Sequence, residues 1–331
     1  MNRTHSILRA FTLVELLAVM GIIAILGVVI TTSAQRISKD AKLAGATNQV
    51  LAALGEARAI AIRDRATVLV AFTVHRKTYR ETPNAPEQVD YSVPQRTEIV
   101  IAKATGRVGY PGVASGGSWT VVYPAGAIND LMLEEFIPDA GVQPRLLPAG
   151  IKVAGSAVDI VDINEIGYDD YWLSQPVLHG IPPANWMQSE RGSRVVVRFA
   201  ADGSFQTRNP ALSANLTPSP IDSSSVAPWI DSNRNGRLEI GATPGTSNGR
   251  FYAFDELGDE SLGNHAMFLA VFDDDYFHAQ ARPADVTSWQ GYSSIAAWMA
   301  GLNRARTEFI NQFCDRIHFN RFTGVAELVP R

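Results

Sequence analysis

The sequence predicts an α+β protein in which a long N-terminal helix packs on an antiparallel β-sheet domain with large insertions. Three observations predict this class. Residues 11–30 form an apolar run, helical spacing of apolar residues continues to residue 65, and short β-branched segments separated by turn sequences follow from Thr67. Apolar residues three and four apart indicate a helix with one buried face, whereas alternating β-branched residues indicate strands.

The first half of the predicted helix, residues 11–30, is long enough to span a membrane. A helix rises about 1.5 Å per residue, so this run covers about 30 Å, the thickness of a bilayer's hydrocarbon core. Glu15 is its one carboxylate. A charge there costs about 2.5 to 3.5 kcal/mol on insertion scales, so it indicates a function and a partner of opposite charge.

The second half of the predicted helix, residues 31–65, is amphipathic. Its sequence has no proline, and its apolar residues recur at helical spacing at Leu43, Ala46, Val50, Leu54, Ala57 and Ala61. Charged residues such as Glu56 and Arg63 occupy other angles. We therefore expect one face of this stalk to pack on a globular domain and the other to face water.

Residues 66–331 are predicted to form the β-rich domain. Strand candidates cover residues 67–74, 98–102, 119–123, 151–153, 158–163 and 267–272. Two hairpins are expected, one over 194–205 with Asp202-Gly203 at its turn and one over 316–329 turning near Thr323-Gly324. Inserted loops over 209–263 and a late helix over 293–313 complete the domain.

The residues around the start of the apolar run form a specific pattern. A short leader, residues 1–10, carries Arg3 and Arg9 and ends in Ala10, and Phe11-Thr12-Leu13-Val14-Glu15 follows. The polar leader precedes the apolar run, whereas a secretory signal peptide has its small-residue cleavage site after the run. This pattern resembles the type IV prepilin signal.

The prepilin resemblance implies processing and assembly. A prepilin peptidase would cut between Ala10 and Phe11, and the new amine of Phe11 would be methylated. The helix over 11–30 would lie in the inner membrane and then pack among other pilins or pseudopilins. There Glu15 would meet the ammonium group of a neighbouring subunit's Phe11.

A second resemblance concerns the stalk and the strands after it. The stalk residues Leu51, Leu54, Ala57, Arg58, Ala61, Ile62 and Arg63 lead directly into a strand at Val68–Val70, and RVVVRFAADGSF follows at residues 194–205. This order is similar to the pseudopilin H and FimT subgroup. It implies a minor pilin or pseudopilin of a type IV pilus or type II secretion system, with no catalytic site and with its C-terminal domain in the periplasm or on a fibre.

Composition excludes other classes. The formal net charge of -4 and the lack of a basic cluster argue against nucleic acid as a partner. Cys314 is the only cysteine, so no intrachain disulfide can form, and we expect its thiol to be buried.

One loop carries the spacing of a calcium site, which makes Ca²⁺ the one candidate cofactor. Oxygen ligands alternate at Asp231, Asn233 and Asn235, and Gly236 and Glu239 follow. Ala242 stands where an EF-hand loop has its glutamate, and Arg234 and Arg237 weaken the attraction for a cation. The alternative is a surface turn stabilised by side-chain hydrogen bonds to the backbone.

Other functional readings stay open at this point. Asp273, Asp274, Asp275 and His278 could bind a metal or form a solvated loop, and Trp172, Trp186 and Trp229 could line a ligand surface or a core. The sequence contains no HExxH pattern. The alternatives to a fibre subunit are an adhesin or binding module displayed by the pilin start, a single-pass anchored periplasmic enzyme, and a plain membrane anchor with a helical stalk.

Overall fold

The computed structural model describes residues 13–75, 78–79, 82, 88–89, 96–115, 118–122, 132–157, 172–174, 194–206, 226–232, 234, 236–239, 261–280 and 305–330. These residues confirm the α+β class. The chain divides into two units, Met1–Gly45 and Ala46–Arg331. The helix α1 begins in the first unit, and the strands belong to the second.

The helices are α1 (Leu13–Asp64), α2 (Asp274–Gln280) and α3 (305–313). The strands in the first half of the chain are β1 (Val68–His75), β2 (Thr78–Tyr79), β3 (Gln88–Val89), β4 (Arg96–Ser115), β5 (Ser118–Val122), β6 (Met132–Pro138), β7 (Arg145–Leu146) and β8 (Ile151–Ala157). The strands in the second half are β9 (Trp172–Ser174), β10 (Arg194–Phe199), β11 (Phe205–Gln206), β12 (Val226–Ile230), β13 (Arg237–Glu239), β14 (Ser261–Asp273), β15 (Arg316–Phe319) and β16 (Ala326–Val329).

The part of α1 within the second unit has the predicted buried face. The buried residues recur every three or four positions: Ala46, Val50, Ala53, Leu54, Ala57, Ile60 and Ala61. Small side chains dominate this face, which lets the helix backbone approach its neighbours closely. The helix ends at Asp64 because Arg65 takes a positive φ of 49°, which breaks the helical hydrogen-bond pattern.

Ion pairs hold the end of α1 to the sheet. Lys103 Nζ on β4 lies 2.5 Å from an Asp64 carboxylate oxygen and 2.8 Å from one of Asp139. The hydrogen bond to Asp139, followed by the one to Asp64, raises the pKa of Lys103. About two turns earlier in the helix, Glu56 pairs with Arg145 of β7. The part of α1 from Ala46 onward therefore packs on the sheet, as predicted for this part of the stalk.

The predicted antiparallel sheet is wrong in one respect, because the observed sheet is mixed. Most ladders are antiparallel, but β6 pairs with β12 and β10 pairs with β14 in parallel. Each parallel pair joins strands that are far apart in sequence. Hairpin signals reveal only neighbouring antiparallel strands, so these two parallel ladders could not be predicted from local pattern.

Six strands close into a ring. Pairing runs in the order β10, β1, β4, β6, β12 and β14, and β14 pairs back with β10. A bulge in β4 between Ala104 and Val108 bends that strand as it passes from β1 to β6. Five of the strands contribute side chains to one buried cluster: Leu69, Ala71, Ala102, Phe136, Val196 and Ile230. This cluster identifies the inward face of the ring.

A second core lies beyond the ring. The later part of β14 pairs with β8 and β15, and β16 follows β15 in a hairpin. A cluster under these strands joins α2 and α3 to them: Ala154, Ala270, Phe272, Phe277, Phe309, Ile310 and Cys314. The Cys314 thiol is buried, as predicted.

Both predicted hairpins are confirmed. β10 pairs with β11 across the Asp202-Gly203 turn, and β15 pairs with β16 across residues 320–325. Several predictions fall outside the described residues: the strand over 158–163, most of the inserted loops over 209–263, and residues 293–304 of the late helix. The described remainder of that helix is α3.

Candidate functional site

The apolar side chains near the start of α1 lie on its surface. Between residues 16 and 26, eight large apolar residues are 47% to 67% exposed: Leu16, Leu17, Val19, Met20, Ile22, Ile23, Ile25 and Leu26. Glu15 lies one residue before this stretch, within α1, whereas Ala10 and Phe11 fall outside the described residues.

Within the part of the chain that the structure describes, no helix is both long enough and apolar enough to cross a bilayer. The span over residues 11–30 stays a prediction.

The candidate calcium loop places its first ligand in a buried position. Asp231 is 1% exposed, and its Oδ2 accepts a hydrogen bond of 2.8 Å from the backbone of Gly236. Asn233 and Asn235 lie outside the described residues, and Glu239 lies in β13, opposite Ser118. The Asp231 contact is the kind expected of a turn closed by a side chain. Calcium binding by this loop stays a prediction.

The carboxylates at the end of β14 serve the fold. Asp273 Oδ1 accepts hydrogen bonds from the backbones of Asp275 at 2.9 Å and Tyr276 at 3.2 Å, and it thereby caps α2. Asp274 Oδ2 lies 3.0 Å from Lys152 Nζ and 3.4 Å from His278 Nε2. Burial alone would raise the pKa of Asp274, but Lys152 and His278 outweigh it and hold the pKa well below its usual value. The reading as a solvated loop is wrong, because Asp273 and Asp274 are buried.

The described residues contain no group of three or more acidic, histidine or cysteine side chains arranged to hold a metal ion.

The inside of the ring carries a charged pair. Arg198 on β10 and Glu134 on β6 are 3% and 5% exposed. Arg198 Nη2 donates a hydrogen bond of 3.0 Å to Glu134 Oε1, and Nη1 lies 2.7 Å from Oε2 as an ion pair. The guanidinium also lies 5.8 Å from the centre of the Phe136 ring. Burial lowers the pKa of Arg198, and Glu134 opposes that effect.

A histidine lies beside this pair. His265 on β14 stands opposite Val196 of β10, two residues from Arg198 and on the same face. Its ring is buried, and neither Nδ1 nor Nε2 has a hydrogen-bond partner among the described residues. Burial, followed by the charge of Arg198, lowers the pKa of His265 to about 3. The imidazole is therefore neutral at physiological pH.

Stability is expected to fall as acid protonates the unfolded chain at His265. The unfolded histidine takes up a proton near pH 6.5, whereas the folded one resists until about pH 3. The free energy of unfolding should thus drop by about 1.4 kcal/mol per pH unit below 6.5, or about 2 kcal/mol by pH 5. Denaturation of the full chain between pH 7 and pH 5 measures this slope. His265→Asn should abolish most of it, and an unchanged slope in that variant would contradict the assignment.

Sequence reasoning missed this interior group. The alternation in β10 separates Val196 and Arg198 from Val195, Val197 and Phe199, which is typical of a strand with one wet face. In the structure that face is enclosed, because β14 closes the ring over it. The acids Glu134 and Glu135, within the otherwise apolar strand β6, were a second sign of a buried charged group.

Comparison with protein-family models, with curated proteins and with solved structures returned no match.

Proposed function

We propose that this chain is a structural subunit of a type IV pilus or a type II secretion pseudopilus, most simply a minor pilin or pseudopilin. In this proposal a prepilin peptidase removes residues 1–10, and the amine of Phe11 is methylated. The subunit waits in the inner membrane with its β-rich domain in the periplasm. It then joins a fibre through α1, and it carries out no chemical reaction.

The observation that carries the proposal is an exposed apolar helix surface directly after a prepilin-type start. The Ala10-Phe11 junction and Glu15 precede the exposed side chains between residues 16 and 26. Apolar residues on every side of a helix need an apolar cover. Lipid would provide that cover before assembly, and the helices of neighbouring subunits would provide it in a fibre.

Glu15 supplies the specificity of the proposed assembly. In lipid its carboxylate has no partner within the apolar run, which makes insertion costly. In a fibre it would meet the Phe11 ammonium group of a neighbouring copy. Because cutting after Ala10 creates that cation, an uncut chain lacks the partner. Processing would therefore act as the switch from membrane anchor to assembly element.

The proposal includes no catalysis, and the buried charged groups of the β-rich domain are compatible with it. Asp273 caps a helix, Asp274 pairs with Lys152, and Arg198 pairs with Glu134. Each of these groups has a partner that explains its place in the fold. They stabilise the domain that the fibre would display.

Substituting Glu15 tests the proposal. Glu15→Val should leave membrane insertion intact but reduce incorporation into fibres at least about a hundredfold, because a buried charge that loses its partner costs about 3–5 kcal/mol. The measurement compares the chain in sheared fibre fractions with the chain in membranes. Asp40→Val is the matched control, since Asp40 is an exposed acid on the same helix. Normal assembly of Glu15→Val would sink the proposal.

Mass spectrometry of the amino terminus gives a second, independent measurement. The expected mature chain begins at Phe11 and carries one added methyl group. A mature chain with any other start removes the premise. An anchored enzyme would keep its activity and location after loss of the Glu15 carboxylate, so the two experiments together separate the fibre subunit from that alternative.

A further inference from the structure

Inside the six-stranded ring, buried nitrogen atoms of Arg198 and His265 have no hydrogen-bond partner among the described residues. Arg198 Nη2 donates a hydrogen bond to Glu134, and Nη1 lies within ion-pair distance of the same carboxylate, but Arg198 Nε and Nη1 have no hydrogen-bond partner among the described residues. The same holds for both ring nitrogens of His265. The two residues are 3% and 5% exposed, and they lie on the inward face of adjacent strands.

Leaving such atoms unsatisfied is costly. A buried donor or acceptor without a partner costs about 1–3 kcal/mol. Four such nitrogens on two neighbouring inward-facing side chains therefore indicate a bound group that pairs with some of them. An unpartnered buried polar side chain of this kind is the usual setting of an internal water molecule.

The chemistry of the nitrogens selects the occupant. Arg198 Nε is always a donor, and the neutral His265 ring offers one donor and one acceptor. The occupant must accept hydrogen bonds and also donate one. A carboxylate cannot donate to the imidazole, and an ammonium ion cannot accept a hydrogen bond. Glu134 already balances the charge of Arg198, so no net charge draws an ion into the ring.

We propose that the six-stranded ring holds a structural water site in which water links Arg198 Nε to the imidazole of His265. The water accepts a hydrogen bond from the guanidinium and donates one to the unprotonated nitrogen of the imidazole. Because the site lies inside a closed set of strands, its water exchanges only when the ring opens. The water site thus belongs to the β-rich domain, and it does not depend on the role proposed for α1.

Oxygen-17 relaxation dispersion of the full chain in detergent micelles tests the site, because this method counts water molecules with long residence times. His265→Phe keeps a planar ring but removes both nitrogens. This variant is expected to lose at least one long-lived water and to melt several degrees lower, since Arg198 Nε loses its link. If the ring were dry, removing two unsatisfied nitrogens would leave the water count unchanged and raise the melting temperature.

Two further variants keep the test decisive. His318→Phe is the matched control, because His318 lies on β15, outside the six-stranded ring. Its imidazole packs at a tilted angle against Phe268. This variant should keep the full water count. His265→Asn retains a donor and an acceptor and should keep the water that His265→Phe loses. An unchanged count in His265→Phe, or equal losses in His318→Phe, overturns the proposal. If His265→Phe does not fold, a native chain without any long-lived water overturns it as well.

Discussion

Gly324→Ala is expected to destabilise the domain by more than about 3 kcal/mol, in the range of the most damaging single substitutions. Gly324 has a φ of 69°, which a side chain disfavours. A Cβ atom at this position would also lie 2.0 Å from the carbonyl oxygen of Gly203. Both partners are backbone, so neither can rotate away, and one of the two hairpin turns must move.

The contact at Gly324 matters because it joins three elements. The turn between β15 and β16 meets the turn between β10 and β11, and α1 lies against both. Arg58 Nε of the helix donates a hydrogen bond of 2.5 Å to the carbonyl oxygen of Thr323. Ile62, one turn later, lies beside Gly203. Displacing the β15–β16 hairpin would therefore weaken the packing of α1 against the sheet.

Two other glycines provide matched controls for denaturation experiments on the full chain. Gly203→Ala should cost less, about 1–2 kcal/mol, because the new Cβ would meet the flexible end of Ile62 rather than backbone. Gly55→Ala should stabilise by about 0.5–1 kcal/mol, because Gly55 is an exposed helical position with open space around it. A Gly324→Ala variant as stable as the native chain would show that the two turns do not meet.

The features that the sequence predicted are those set by neighbours along the chain. The buried face of α1 from Ala46 to Ala61 follows from helical periodicity, and the Asp202-Gly203 hairpin follows from turn chemistry. The final hairpin, with Gly324 at its turn, follows from the same rules. Each of these depends on fewer than about twenty residues, which is the range over which local pattern is informative.

The features that the sequence did not predict depend on distant pairing. The ring closes where His265 of β14 lies opposite Val196 of β10, and no local pattern specifies that parallel contact. Closure turns the apparent wet face of β10 into an interior and makes Arg198 a buried cation. The roles of the acids at the end of β14 also depend on the folded structure. Asp273 caps α2, and Asp274 pairs with Lys152, which is distant in sequence.

Breaking the pair inside the ring is the second change with a large expected effect. Glu134→Ala removes the carboxylate and leaves the guanidinium of Arg198 buried without its counter-charge. Burial already lowers the pKa of Arg198, so the folded state would hold a cation with little to offset its desolvation. We expect a loss of about 3–5 kcal/mol in the free energy of unfolding, measured by chemical denaturation of the full chain.

The double variant Glu134→Leu/Arg198→Met decides what the pair contributes. Replacing both charges with apolar side chains of similar size removes the desolvation cost together with the attraction, so the double variant should be far more stable than Glu134→Ala. Arg63→Ala is the exposed control. It breaks a contact of 2.6 Å with Asp64, but the Arg63 side chain is 66% exposed, so water screens the pair and the loss of stability should be small. If Glu134→Ala costs no more than this surface pair, bulk solvent reaches Arg198, and the ring is open rather than closed.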